Sequence, residues 1–153
     1  MRAHQIMLFT GHAEHAIDAK MRLSLPKKHR AQWEPETQGD AWYCVPWPNG
    51  SLRLYPSKLF QRLAEQSAES LTPNEDQSEL EATLYGLAEM LTVDAQGRIM
   101  LPKEHLEMTG LGRAVVVVGV RNRLEIHDQD EWLAERARRF ADLPNLVRKV
   151  DGK

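Results

Sequence analysis

Ile17-Asp18-Ala19-Lys20-Met21-Arg22-Leu23-Ser24-Leu25-Pro26-Lys27-Lys28-His29 recurs as Val93-Asp94-Ala95-Gln96-Gly97-Arg98-Ile99-Met100-Leu101-Pro102-Lys103-Glu104-His105, at an offset of 76 positions. Asp, Ala, Arg, Leu, Pro, Lys and His fall in register, with an apolar residue before each Asp and another after each Arg. Two copies of one supersecondary unit in a single chain imply two equivalent sites related by a pseudo-two-fold axis. A doubled polar loop of this kind suits a protein that reads a repeating surface.

The loop can be read chemically. Asp94-Ala95-Gln96-Gly97 has the pattern of a type I turn, with the Asp carboxylate placed to take a backbone N–H and Gly97 where a three-residue hairpin needs positive φ. Asp18, Asp94 and Gly97 are therefore the turn-fixing residues. Met21 stands where the first copy would have glycine; holding a non-glycine residue there costs on the order of 1 kcal/mol. Beyond the turn, Ile99 and Leu101 alternate with Arg98 and Met100, as on a strand with one buried face. Pro102 ends that strand and opens a helical turn, which Gly110 stops.

The recurrence extends outward. Leu52-Arg53-Leu54-Tyr55-Pro56-Ser57-Lys58-Leu59-Phe60 aligns with Leu124-Glu125-Ile126-His127-Asp128-Gln129-Asp130-Glu131-Trp132 at an offset of 72. Each half reads as strand, tight turn, strand, short helix, hairpin and longer helix. The hairpins are Trp42 to Val45 with Leu52 to Leu54, turning at Pro48-Asn49-Gly50, and Val115 to Val118 with Leu124 to Ile126, turning at Arg121-Asn122-Arg123. The first repeat spans 8–56, a helical connection 57–91, and the second repeat with its C-terminal helix 92–140. Residues 1–7 read as an extension. Ser57 is expected to cap a helix reaching about Ser70. Thr72-Pro73-Asn74-Glu75 is expected as a capping box leading into Leu80, Leu84, Leu87 and Leu91. Asp128 is expected to cap the last helix; after Leu143-Pro144 the chain becomes polar and basic, and its final residues are expected to be loose.

The totals narrow the class. The 153 residues fit one domain or two fused halves, and 42% hydrophobic content is ordinary for a globular core. No apolar run approaches the ~18 residues that suggest a membrane span, and no secretory signal is visible. Cys44 is the one cysteine, which excludes an internal disulfide and suggests a reducing compartment. Net charge is −2, but it is segregated: from Leu63 to Gly97 there are eight acids and no Lys or Arg, leaving all 20 basic residues against 14 acids elsewhere. Lys20, Arg22, Lys27, Lys28 and Arg30 form the densest basic run, a local anion-attracting face on an acidic chain.

The two Asp-x-x-x-Arg loops, each followed by apolar-x-Leu-Pro, resemble the MraZ family of bacterial transcriptional regulators. So do Leu8-Phe9-Thr10-Gly11-His12-Ala13-Glu14-His15 before the first loop and Val118-Gly119-Val120-Arg121-Asn122-Arg123-Leu124-Glu125-Ile126 after the second. The resemblance implies an α+β chain in which two AbrB-like β-hairpin repeats form one pseudo-two-fold, swapped-hairpin β-barrel with flanking helices. It also implies sequence-specific binding to double-stranded DNA at promoter-proximal direct repeats of a cell-division and cell-wall gene cluster. It further implies a homo-oligomer closed into a ring, in the cytoplasm and associated with the nucleoid. The family's DNA-contacting loop positions fall on Asp18, Lys20 and Arg22, and on Asp94, Gln96 and Arg98.

The chemistry of these residues suits the task. The planar fork of Arg22 or Arg98 can donate two parallel bonds to guanine O6 and N7 or to a phosphate, and a two-stranded ribbon is narrow enough for the major groove. Lys20 suits phosphate, and Gln96 suits phosphate or adenine. Lys27, Lys28, Arg30 and Lys103 supply sequence-blind attraction. The bland alternative is that each Asp–Arg pair is only a turn lock. No catalytic residue, metal site, cofactor or small-molecule substrate is expected. His12 and His15 would lie on opposite faces of a strand and lack further converging ligands. His29 and His105 occupy matching repeat positions, which suits packing or a cap, and neither G-x-G-x-x-G nor Gly-x-Ser-x-Gly occurs. The rival class is an antitoxin-type interaction module whose acidic 65–89 stretch binds a basic partner.

Overall fold

A computed structural model describes residues 7–152; residues 1–6 of the expected extension lie outside the described residues. The first half contains β1 (His12–Ala16), β2 (Arg22–Ser24), α1 (Lys27–Gln32), α2 (Pro35–Gln38), β3 (Ala41–Pro46), β4 (Leu52–Pro56) and α3 (Ser57–Glu65). Then come α4 (Glu75–Leu87), β5 (Glu89–Thr92), β6 (Arg98–Met100), α5 (Lys103–Thr109), β7 (Ala114–Val120), β8 (Arg123–Asp128), α6 (Gln129–Ala141) and α7 (Leu143–Asp151). The fold is α+β.

Pairing follows the repeat and crosses it. The first strand of each half joins the hairpin of the other: β1 pairs antiparallel with β7, and β5 with β3. The hairpins meet along β4 and β8, with Leu52 opposite Ile126 and Leu54 opposite Leu124, symmetric about the Arg53–Glu125 pair. The sheet order is β1-β7-β8-β4-β3-β5, and β2 and β6 form a separate two-stranded ribbon. No sheet among the described residues is closed, since β1 and β5 are each hydrogen-bonded on one side only.

Alternation along these strands builds the core. Leu52, Leu54, Leu124 and Ile126 are fully buried, together with Phe9, Trp42, Val115 and Val117. The ribbon covers them with Leu23, Leu25, Ile99 and Leu101, all buried. Each such side chain contributes up to ~1.5–3 kcal/mol by leaving water. Two backbone bonds fasten the ribbon's ends across the halves: Leu25 N donates to the Gly97 carbonyl (3.0 Å) and Leu101 N to the Met21 carbonyl (2.8 Å). They are mates under the 76-residue offset.

The helices depart from the sequence reading in four places. Ser57 lies inside α3 instead of capping it, and α3 ends at Glu65. The cap of α4 is Asn74, not Thr72, and its Oδ1 accepts from Gln77 N at 2.8 Å. That helix stops at Leu87, because pairing with β3 captures the next residues as β5 and sets Leu91 opposite Trp42. The chain after Pro144 is not loose but forms α7, with Pro144 in the first turn, where its missing N–H costs nothing. Asp128 caps α6 as expected, accepting from Glu131 N at 3.0 Å. No helix among the described residues is long and apolar enough to cross a membrane.

Candidate nucleic-acid interface

Both Asp–Arg loops have one geometry. In the first, Asp18 Oδ1 accepts from Lys20 N (2.9 Å) and Arg22 N (2.8 Å), while Oδ2 accepts from Arg22 Nε (2.8 Å). In the second, Asp94 Oδ1 accepts from Gln96 N and Arg98 N, and Oδ2 from Arg98 Nε, all at 2.9 Å. The turn lock is therefore real. It occupies Nε, however, and leaves the two terminal nitrogens of each fork outside the Asp–Arg bond. In Arg98 one of them also donates to Gln96 Oε1 at 3.3 Å. Both carboxyls are held below their ordinary range, chiefly by the backbone N–H of Arg22 or Arg98, with the guanidinium adding to the effect and desolvation opposing it.

Strand alternation decides which way the arginines face. Leu23 pairs with Ile99 and both enter the core, so the neighbouring pairs, Arg22 with Met100 and Ser24 with Arg98, lie on the other face. Both guanidinium-bearing side chains are 28% exposed there. They stand diagonally across the ribbon, one pair to either side of the pseudo-two-fold axis. Lys20 and Gln96 are exposed at the two tips.

The loops differ at one position. Met21 holds φ 62° and Gly97 φ 78°, so Met21 keeps the left-handed turn that glycine makes in the second loop. Gly97 also leaves room for a neighbouring side chain. A Cβ there would lie 2.5 Å from Arg30 Nη1, because Arg30, from the first repeat, lies over the second loop.

The comparisons with known proteins point the same way. The MraZ family model, described as "MraZ protein, putative antitoxin-like", matches residues 8–81 and 84–142. The chain belongs to the MraZ family. The two matched MraZ segments begin 76 residues apart, the offset of the two loops. The chain is similar to proteins named Transcriptional regulator MraZ from several bacteria. It is 33% identical to that of Thioalkalivibrio sulfidiphilus, over 88% of this chain and 89% of the relative. The one from Pelodictyon phaeoclathratiforme is 32% identical over 88% and 95%, and the one from Thermomicrobium roseum 30% identical over 94% and 97%.

The other expected residues of this MraZ chain fall in different settings. Lys27, Lys28 and Arg30 are on α1 and exposed. Lys28 is tethered, its Nζ donating to the His12 carbonyl at 2.8 Å. Lys103 opens α5 and sits 3.9 Å from Glu107, an exposed pair of little energetic weight. His29 and His105 are buried anchors. His29 Nε2 lies 3.2 Å from both the Thr10 and Gly11 carbonyls, and His105 Nε2 lies 2.7 Å from the Leu87 carbonyl. Carbonyls only accept, so Nε2 carries the proton in each. Burial pushes the His29 pKa down. Among the described residues no group of three or more His, Cys, Asp or Glu is arranged to hold a metal ion. His12 instead packs against Trp132 with ring centroids 4.5 Å apart.

Met100 shares the face of Arg98, as the alternation predicts, and Ser24, which the sequence reading did not single out, shares it too. The period-2 alternation around Leu23 and Ile99 carries that signal. Arg30's position over the second loop has no sequence signal, because it depends on how the halves pack.

Proposed function

We propose that this chain is a sequence-specific DNA-binding transcriptional regulator, and that the exposed face of the β2–β6 ribbon is its DNA-reading surface. One observation carries the reading: Arg22 and Arg98 stand on one exposed face, related by the internal pseudo-two-fold and each oriented by its own Asp. The Asp bond pre-orients the fork and leaves its terminal nitrogens for guanine edges or phosphate. Lys20 and Gln96 flank the arginines, and Lys27, Lys28, Arg30 and Lys103 add sequence-blind attraction. The naming of the relatives as transcriptional regulators supports the assignment. The targets are promoter-proximal direct repeats of a cell-division and cell-wall gene cluster, and the place of action is the nucleoid in the cytoplasm.

The crossed pairing of β1 with β7 and β5 with β3 supports reading the two repeats as a swapped-hairpin barrel, the second beginning with β5 at Glu89 and not at 92, so that the helical connection is shorter than 57–91. One chain offers two small loops, and each good base contact discriminates by only ~1–3 kcal/mol. A closed homo-oligomeric ring places several ribbons along one duplex and raises the effective concentration. Fluorescence anisotropy on duplexes carrying one, two and three direct repeats tests this. Affinity should rise steeply with repeat number and fall with salt; affinity indifferent to sequence and to repeat number overturns it.

The acidic α4 supports a second reading, an antitoxin-type module with a basic protein partner. Stoichiometric co-purification of such a protein, released by salt, would favour it.

A further inference from the structure

Four side chains make up the exposed face of the β2–β6 ribbon, and only two of them repeat. Arg22 stands opposite Met100, and Ser24 opposite Arg98. Under the 76-residue offset Arg22 and Arg98 are mates, and Ser24 and Met100 are mates. The ribbon's backbone is therefore two-fold symmetric while the chemistry it displays is not. Met100 is 57% exposed, whereas its neighbours Ile99 and Leu101 enter the core. Serine holds the equivalent register position in the other half, so the fold does not require methionine there. An unbranched, polarisable apolar side chain is left facing outward beside a guanidinium group, where alternation would place a polar residue.

Charge does not distinguish the two ends of this face. Lys20 accompanies Arg22 on the first loop, and Arg30 of the first repeat lies over the second loop beside Gln96, its own mate being the half-buried Leu106. Each arginine thus has one further cation nearby, and the difference that can be read as sequence rests on Met100 against Ser24. Side chains directly opposite on an antiparallel pair start ~4.5–5.5 Å apart at Cβ, close to the ~3.4 Å rise between successive bases of one strand. An arginine fork on guanine O6 and N7 therefore sets its cross-strand neighbour against the adjoining base. Among the major-groove features a base presents there, the C5-methyl of thymine is the apolar one. A serine hydroxyl both donates and accepts, and takes any edge.

We propose that Met100 is a specificity-determining residue that packs on the C5-methyl of a thymine adjoining the guanine read by Arg22, while Ser24 leaves the base beside the guanine of Arg98 open. The site so read has guanine next to thymine at one end and guanine with any neighbour at the other, which gives it a direction. A direct repeat calls for that direction, because a ribbon with identical ends would bind each repeat equally well in both orientations. The inference rests on the DNA-reading role proposed above for the ribbon and names the base that one end of it selects.

The probe is a one-repeat duplex enriched from a randomised library by the full-length chain. Each thymine in it is replaced in turn by deoxyuridine, which removes the methyl group and keeps the base pair. One thymine, adjoining a guanine, should be sensitive, its replacement weakening binding roughly 4-fold, the worth of one buried methyl. Met100→Ser should bind the thymine and deoxyuridine duplexes alike, and Met100→Leu should keep the difference. Ser24→Met should enrich a two-fold symmetric site with thymine at both ends. Because the scan is made on the DNA, it tests the unmodified chain even where a variant melts early. The proposal is overturned if no thymine is sensitive, if a folded Met100→Ser keeps the full sensitivity, or if the unmodified chain already enriches a symmetric site. Where one of those outcomes appears and binding is still lost in Arg22→Ala, the ribbon reads DNA and only the role of Met100 fails. A library that yields no enriched sequence overturns the DNA reading itself, and the role of Met100 with it.

Discussion

Arg22 and Arg98 flank the Leu23–Ile99 pair on one exposed face of the ribbon, Arg22 opposite Met100 and Arg98 opposite Ser24. Their separation is set by backbone register, not by side-chain rotamers, and the buried Leu23 and Ile99 fix that register. A slip of one residue in either strand would turn that strand's arginine toward the core. The two guanidinium groups are thus a rigid pair, each steered by a bond from Nε to its own aspartate.

Arg22→Ala and Arg98→Ala should each weaken binding to a repeat-bearing duplex by about 1–3 kcal/mol, roughly 5- to 150-fold. The melting temperature should change little, since both side chains are partly exposed. Anisotropy titrations and thermal melts read the two effects separately. Unfolding of both variants would assign the arginines to the turn lock alone.

Met21 and Gly97 make opposite predictions at equivalent positions. Met21→Gly removes ~1–2 kcal/mol of left-handed strain and adds ~0.4–1 kcal/mol of unfolded-state entropy, so stability should rise by up to about 1.5 kcal/mol. Gly97→Ala takes on that strain and displaces Arg30 from the loop. Urea unfolding should show a net loss of up to about 1.5 kcal/mol, the strain being partly offset by the lower entropy of the unfolded alanine chain.

Glu125 should make the fold acid-sensitive. Its carboxyl is pushed down to about 2, first by the hydrogen bond from His127, with Arg123 adding to it and burial opposing. A carboxyl held below its unfolded value stabilises the fold fully above that value, near 4.5, and loses the contribution as pH falls toward about 2. Denaturation curves at stepped pH should decline through that window. Glu125→Gln should be less stable at neutral pH and show a shallower decline there.

Cys44 should be inert in the folded protein. It is fully buried, burial pushes its thiol pKa far up with Glu89 adding to the rise, and it lies 3.3 Å from His105 Nδ1, to which its S–H donates. Iodoacetamide at pH 8 should label it only after denaturation. His105→Ala removes the partner of both Cys44 and the Leu87 carbonyl and leaves a cavity. It should cost about 2–4 kcal/mol and accelerate amide exchange at the α4–β5 junction.

Much of this was legible because it is local. The Asp–Arg turn closes within five residues, so Asp18, Arg22, Asp94 and Arg98 were found with their geometry. Asp128 was identifiable as a cap for the same reason. The errors came where a local pattern met a distant competitor. The leucine spacing that pointed to a helix through Leu91 lost to the pairing of β5 with Trp42 and its neighbours. Beyond Pro144 the polar and basic composition pointed to loose final residues, whereas Leu143, Val147 and Val150 recur at helical spacing within α7.

The sequence by itself determined the repeat, the two locked turns and the alternation that puts arginine on one face and leucine or isoleucine on the other. Those follow from hydrogen bonds and side-chain periodicity within a few residues. Only the tertiary structure decided that each half lends its first strand to the other, that Leu23 meets Ile99 on the axis, and that Arg30 lies over Gly97. These contacts join residues 45 to 106 positions apart. At that separation the choice among partners rests on burying one shared core, which no single segment specifies.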